Sequence, residues 1–133
     1  MFLCDLPKEL IQPYLDLANT LVHSDGVVEE SESSILQLYT TELNLERLPA
    51  LHIVDYRDAL AAFDSLSMKV KKEVYFELFS LSYADSSCSD EERALLDVVR
   101  QRFGITANDA DMIENITIKL LFDYEQLGMI LNG

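Results

Sequence analysis

Residues 81–96 read LSYADSSCSDEERALL, and residues 21–36 read LVHSDGVVEESESSIL. In each, an apolar helix end runs into an aspartate, a short loop follows, and a glutamate-bearing cluster opens the next apolar face. Asp85 follows Asp25 by 60 positions, and Glu92 follows Glu32 by the same 60. Leu21 and Leu36 fall on Leu81 and Leu96 at that offset, while Ile35, Leu38 and Tyr39 fall on Leu95, Val98 and Val99. Further on, LNL (43–45) lands on FGI (103–105). Asn44 and Gly104 are the residue types that best tolerate the left-handed backbone ending a helix. An internal duplication of a helix–loop–helix unit, at about 10–45 and 70–105, is the simplest account.

The flanking pattern is helical as well. Leu10, Ile11, Tyr14, Leu15, Ala18, Leu21 and Val22 recur at spacings of three and four, one face of an amphipathic helix. Further stripes comprise Ile35, Leu36, Leu38, Tyr39 and Leu43, then Val70 to Leu81 within 68–83, then Leu95 to Phe103. A last one, Ile113, Ile116, Leu120, Leu121, Tyr124 and Leu127, predicts a C-terminal helix over about 107–131. Pro7 suits a first helical turn, and Pro13 predicts that the regular helix starts after a break there. Pro49 and VDYRDALAAFDSLS (54–67) read as a connector with a short helix. No strand-like alternation bounded by hairpin turns is present in the sequence. The expectation is one compact all-α domain over residues 1–133.

Composition narrows the function classes. A hydrophobic fraction of 49% supplies a core. Ten Lys and Arg against 24 Asp and Glu give a formal charge of −14, a field that repels phosphate backbones and argues against nucleic acid. Cys4 and Cys88 form no CxxC or finger spacing and read as reduced thiols. Asp5 interrupts the apolar start too early for a signal peptide, and no run approaches the ~18 apolar residues of a membrane span. A cytoplasmic domain without membrane insertion is expected.

At the joints, Ser89 and Glu92 form S-x-x-E, the signature of a capping box. The first copy has Glu29-x-x-Glu32 in its place. Glu30, Glu32, Asp90, Glu91 and Glu92 stand where a helix dipole favours negative charge. Asp25 and Asp85 stand at helix C-terminal ends, where the dipole disfavours it. Two physical reasons remain open for them. An Asp side chain can shape the loop, especially before Gly26. Alternatively, Asp25 with Glu32 and Asp85 with Glu92 hold a hard cation, its shell completed by water, backbone carbonyls or the second joint. The EF-hand pattern is absent.

The doubled motif apolar–x–x–Asp–Gly–x–apolar–x–x–x–Glu, running in its second copy into LLDVVRQRFGI, resembles the tellurite-resistance TerB-like domain over roughly residues 10–106. The resemblance implies an all-helical, internally repeated, acidic domain, associated with stress response and tellurite resistance. No Ser/His/Asp or Cys/His constellation and no Gly-rich phosphate loop is legible in the sequence, so a non-enzymatic domain acting through protein partners is expected. The family's motif positions fall on Asp25, Gly26 and Glu32 and on Asp85 and Glu92, and the resemblance implies divalent metal binding at the carboxylates Asp25, Glu32, Asp85 and Glu92. Ser86 departs from this pattern, standing where the second copy should carry glycine.

His23 maps onto Tyr83, which predicts a partly buried packing role, and His52 lies in the connector without an acidic partner at metal spacing. Cys88 maps onto Val28, and a lone thiol among carboxylates suits zinc less well than the joints suit Ca²⁺, Mg²⁺ or Mn²⁺. The rival enzyme reading is a Mg²⁺-dependent all-α nucleotide pyrophosphohydrolase, for which Glu29-x-x-Glu32 supplies one acidic element and the second is lacking. The remaining alternative is a metal-free interaction scaffold, with KVKKE (69–73) as a polar rim or solvated face.

Overall fold

The computed structural model describes every residue except 25, 27–29 and 85–87, and gives residues 30 and 31 by their backbone alone. Among the described residues all regular structure is helical. Two single 3-10 turns, Leu3–Asp5 and Lys8–Leu10, precede α1 (Ile11–Val22) and α2 (Glu30–Glu42). Then follow α3 (Tyr56–Ala61), α4 (Met68–Ser82), α5 (Asp90–Phe103) and α6 (Ala107–Asn132). The all-α expectation holds, and no helix among the described residues is long and apolar enough to cross a membrane. One boundary differs: α1 starts at Ile11, ahead of Pro13 rather than after it. Pro13 is the third residue of that helix, where a first-turn amide has no helical acceptor to lose.

The centre of the molecule is the contact of α1 with α4. Tyr14, Leu15, Leu17 and Ala18 on one side, and Tyr75, Leu78, Phe79 and Leu81 on the other, are almost wholly excluded from water. Burying such side chains contributes ~1.5–3 kcal/mol each, which makes this pair the main hydrophobic anchor. Helix α2 packs on α1 and reaches α4, while α5 packs on α4 and reaches α1. Helix α3 bridges α1 and α5, and α6 lies along α4.

The spacing of 60 recurs in burial and in hydrogen bonds. Buried Leu15, Leu17, Ala18, Leu21 and Val22 correspond to buried Tyr75, Glu77, Leu78, Leu81 and Ser82. The amide of His23 donates to Asn19 O at 3.2 Å, and that of Tyr83 to Phe79 O at 3.0 Å. At the far ends, Leu45 N donates to Thr40 O at 2.7 Å and Ile105 N to Arg100 O at 3.1 Å. Asn44 N and Gly104 N donate to Thr41 O and Gln101 O. Both helices therefore close with the paired bonds of a Schellman motif around a left-handed residue, at φ of 56° for Asn44 and 74° for Gly104.

Two apolar stripes differ from expectation. Leu38 is 65% exposed, because α2 buries Leu36 and Tyr39 and packs Ile35 and Leu43 beside them, leaving Leu38 on the outer side. On α6 the buried residues are Ala110 and Thr117, whereas Ile116, Leu120, Tyr124 and Leu127 of the expected stripe face outward. One helix cannot turn all of so broad a stripe toward α4. A polar element is also buried: Glu77, in the place held by Leu17, accepts from Phe2 N at 2.8 Å, and Glu42 accepts from Leu3 N at 3.1 Å. These carboxylates on α4 and α2 dock the N-terminal segment. Beneath it, Tyr14 Oη donates to Tyr39 Oη at 3.1 Å with rings edge-on.

Candidate functional site

Each joint is built by a helix that stops and a helix that starts. Glu32 and Glu92 lie in the first turns of α2 and α5, 60 positions apart, and both are buried, at 4% and 5% exposure. Burial of an ionisable carboxylate is costly without compensating partners, so two such residues in equivalent places need a local reason. Asp25 and Asp85, expected to face them, lie outside the described residues, as do Glu29 and Ser86. Gly26 has φ of 77°, and its amide donates to His23 O at 3.0 Å. A Cβ there would meet nothing within 4 Å, so the left-handed backbone and not crowding favours glycine.

The second joint supplies part of the local reason. Ser89 Oγ accepts from Glu92 N at 3.1 Å, and Glu92 Oε1 accepts from Ser89 N at 3.1 Å. This is the expected capping box. Asp90 and Glu91 complete an acidic first turn on the exposed side of α5, where the dipole stabilises them. Glu92 thus has a structural task whatever else it does.

The neighbouring groups take other roles. Cys88 is half-buried with Sγ 3.7 Å from Ser89 O, and burial pushes its thiol above the ordinary range. A thiol held protonated is a weak zinc ligand. His23 is exposed, contrary to the packing role expected of it. Its Nδ1 lies 2.8 Å from Asn19 O, one turn back, so the ring folds over its own helix end. Tyr83, its counterpart, is half-buried and stacked on Phe79 with centroids 5.6 Å apart. His52 does have an acidic partner: Asp16 Oδ1 accepts from His52 N at 3.1 Å and lies 3.2 Å from Nδ1. That contact pins the connector to α1, and 36 residues of separation hid it from the sequence.

A groove of about 390 Å³ opens where α1 ends beside α3 and α5, walled by Ile53, Tyr56, Leu95 and Val98, with His23 and Glu91 as polar members. Among the described residues no three His, Cys, Asp or Glu side chains converge as a metal-ligand set, and the joint aspartates are not among those residues.

A polar triad that the sequence did not reveal joins three helices. Arg93 Nη1 on α5 donates to Glu114 Oε1 on α6 at 2.6 Å, and Tyr75 Oη on α4 donates to Glu114 Oε2 at 2.6 Å. Arg93 Nη2 also donates to Tyr75 Oη at 3.1 Å. Burial, reinforced by Glu114, raises the Tyr75 phenol well above its ordinary value. The basic segment 69–73 is tied down too: Lys69 pairs with Asp5 at 3.5 Å and Glu73 at 3.4 Å, and Lys72 with Asp109 at 3.0 Å. No family model, curated protein or solved structure matches the chain.

Proposed function

We propose that the chain is a non-enzymatic TerB-like domain of the cytoplasm, acting in stress or tellurite resistance through protein contacts. In this reading its two helix–loop–helix units are an internal repeat. The acidic joints hold a divalent cation, Ca²⁺, Mg²⁺ or Mn²⁺, through Asp25 with Glu32 and Asp85 with Glu92. The observation that carries the proposal is the equivalent burial of Glu32 and Glu92 in the first turns of α2 and α5. Supporting it are the matched helix stops and the left-handed Gly26 in the first loop. A hard cation fits this chemistry because it takes oxygen ligands, carboxylates among them.

A metal-free scaffold is the second reading, favoured by one observation: Glu92 Oε1 already serves the α5 cap. Isothermal titration of the whole chain with Mn²⁺, Mg²⁺ and Ca²⁺ separates the two. Saturable binding lost in both Asp25→Asn and Glu32→Gln supports the cation, and titrations without heat at any ion support the scaffold. Release of pyrophosphate from nucleoside triphosphates, abolished by Glu32→Gln, would replace both with the pyrophosphohydrolase reading.

A further inference from the structure

Helix α6 is the longest in the molecule, with 26 residues spanning about 39 Å. It outruns α4, whose 15 residues span about 22 Å. Only Ala110 and Thr117 are fully buried, so α6 spends one narrow face on the body. A second face, turned away from α4, is apolar along nearly the whole helix. Met112, Ile116, Leu127, Ile130 and Leu131 recur there at helical spacing, with exposures of 54, 56, 50, 76 and 74%. With Leu120 at 45% and Tyr124 at 79%, which flank it over the groove beside α4, this surface leaves on the order of 800 Å² of side chain in water. That is roughly what one partner contributes to an interface of standard size.

Charge identifies the occupant. A chain at −14 repels a copy of itself at most places on its surface. On α6 the segment 126–132, QLGMILN, carries no charge, and residues 118–132 contain only Lys119, Asp123 and Glu125. Lys119 is the sole cation of α6. It lies four residues before Asp123, on the same side of the helix, and both are exposed. When two identical helices pack antiparallel, each edge meets the same edge of its partner. Crossing at the level of residue 121 brings Lys119 of each copy against Asp123 of the other. The same register sets Met112 beside Ile130 and brings Ile116 within one position of Leu127.

We propose that α6 is the docking surface for a second copy of this chain, in an antiparallel two-fold pair that crosses at the level of residue 121. The apolar faces supply the attraction, and two reciprocal Lys119–Asp123 ion pairs set direction and register. This interface is independent of the joints and of any cation there.

Sedimentation equilibrium of the full chain tests it, with circular dichroism confirming the fold of each variant. The wild type sediments at twice the chain mass at about 100 µM. Leu127→Glu, at a position outside the core, sediments as a folded monomer. Lys119→Glu and Asp123→Lys each weaken the pair at least about tenfold, because each sets like charges against one another twice. An equimolar mixture of these two variants restores a dimer, since the carboxylate introduced in one chain then faces the ammonium introduced in the other. A monomeric wild type, or a dimer that survives Leu127→Glu, overturns the proposal and leaves the face to another protein or a lipid surface. Failure of the mixture to dimerise overturns the antiparallel register.

Discussion

Asn44 and Gly104 stand sixty positions apart and both take left-handed backbone, at φ of 56° and 74°, where α2 and α5 stop. At each, the following amide reaches back five residues to close the helix. The shared geometry sets an order of substitution costs. Gly104→Ala loses about 1–2 kcal/mol from the backbone alone, since its added Cβ makes only ordinary contact with Met68, 3.9 Å away. Gly104→Asn loses clearly less, because Asn44 already serves in that place. Urea unfolding of the two variants gives the comparison.

The capping box of α5 predicts that Ser89→Ala lowers stability by about 0.5–2 kcal/mol, measured by the same denaturant melts. One bond ends with that hydroxyl, the one it accepts from Glu92 N, while the Ser89 amide keeps its bond to Glu92 Oε1. Ser89→Asp keeps an acceptor at the helix start and retains most of the stability.

Tyr14 and Tyr39 are buried with their hydroxyls joined, and desolvation raises both phenols well above the ordinary range, with Glu77 adding to it. Tyr75 is raised as well, by burial and then by Glu114. In the unfolded chain these groups ionise near pH 10, while in the folded chain they keep their protons. The folded state therefore binds more protons above that pH, and stability falls as pH rises past about 10. Ultraviolet titration should show Tyr14, Tyr39 and Tyr75 ionising only on unfolding. Tyr14→Phe, which strips Tyr39 of its buried donor, costs about 1–3 kcal/mol at neutral pH.

The thiols differ in exposure, and so in reactivity. Cys4 is exposed, whereas Cys88 is half-buried and its thiol is pushed up by burial. Iodoacetamide at pH 8 should alkylate Cys4 first, with Cys88 following more slowly, as peptide mass mapping over time will record.

The helices and their stops were legible because period and punctuation are local signals. Asn44, Gly104 and the Ser89–Glu92 box each act within five residues, so the sequence contains both partners. The joint glutamates were legible by their shared offset, although their burial was not, since it depends on what other helices lay over them. Contacts between distant segments were hidden: Asp16 with His52, Glu77 with Phe2, and Arg93 with Glu114. His23 was misjudged by analogy with Tyr83, because two positions at the same offset need not be equally covered. The burial of α6 was hidden for a different reason. Its sequence shows a broad apolar surface, but not that α4 covers only one side of it.

The central claim concerns a cation at the joints, and thermal unfolding with and without Ca²⁺, Mg²⁺ or Mn²⁺ tests it most directly. At about 100 times its dissociation constant a bound cation adds ~2.7 kcal/mol, a rise of roughly 8–15 °C in Tm for a domain of this size. NaCl at matched ionic strength should give only the smaller gain from screening a charge of −14. Asp25→Asn should lose the cation's gain while leaving Tm without metal unchanged or higher, since a carboxylate at a helix C-terminus is removed. Asp85→Asn reports on the second joint, where Ser86 replaces glycine. A wild-type Tm that responds to the divalent ions no more than to NaCl would contradict the account and leave the joint carboxylates as caps and solvating charge.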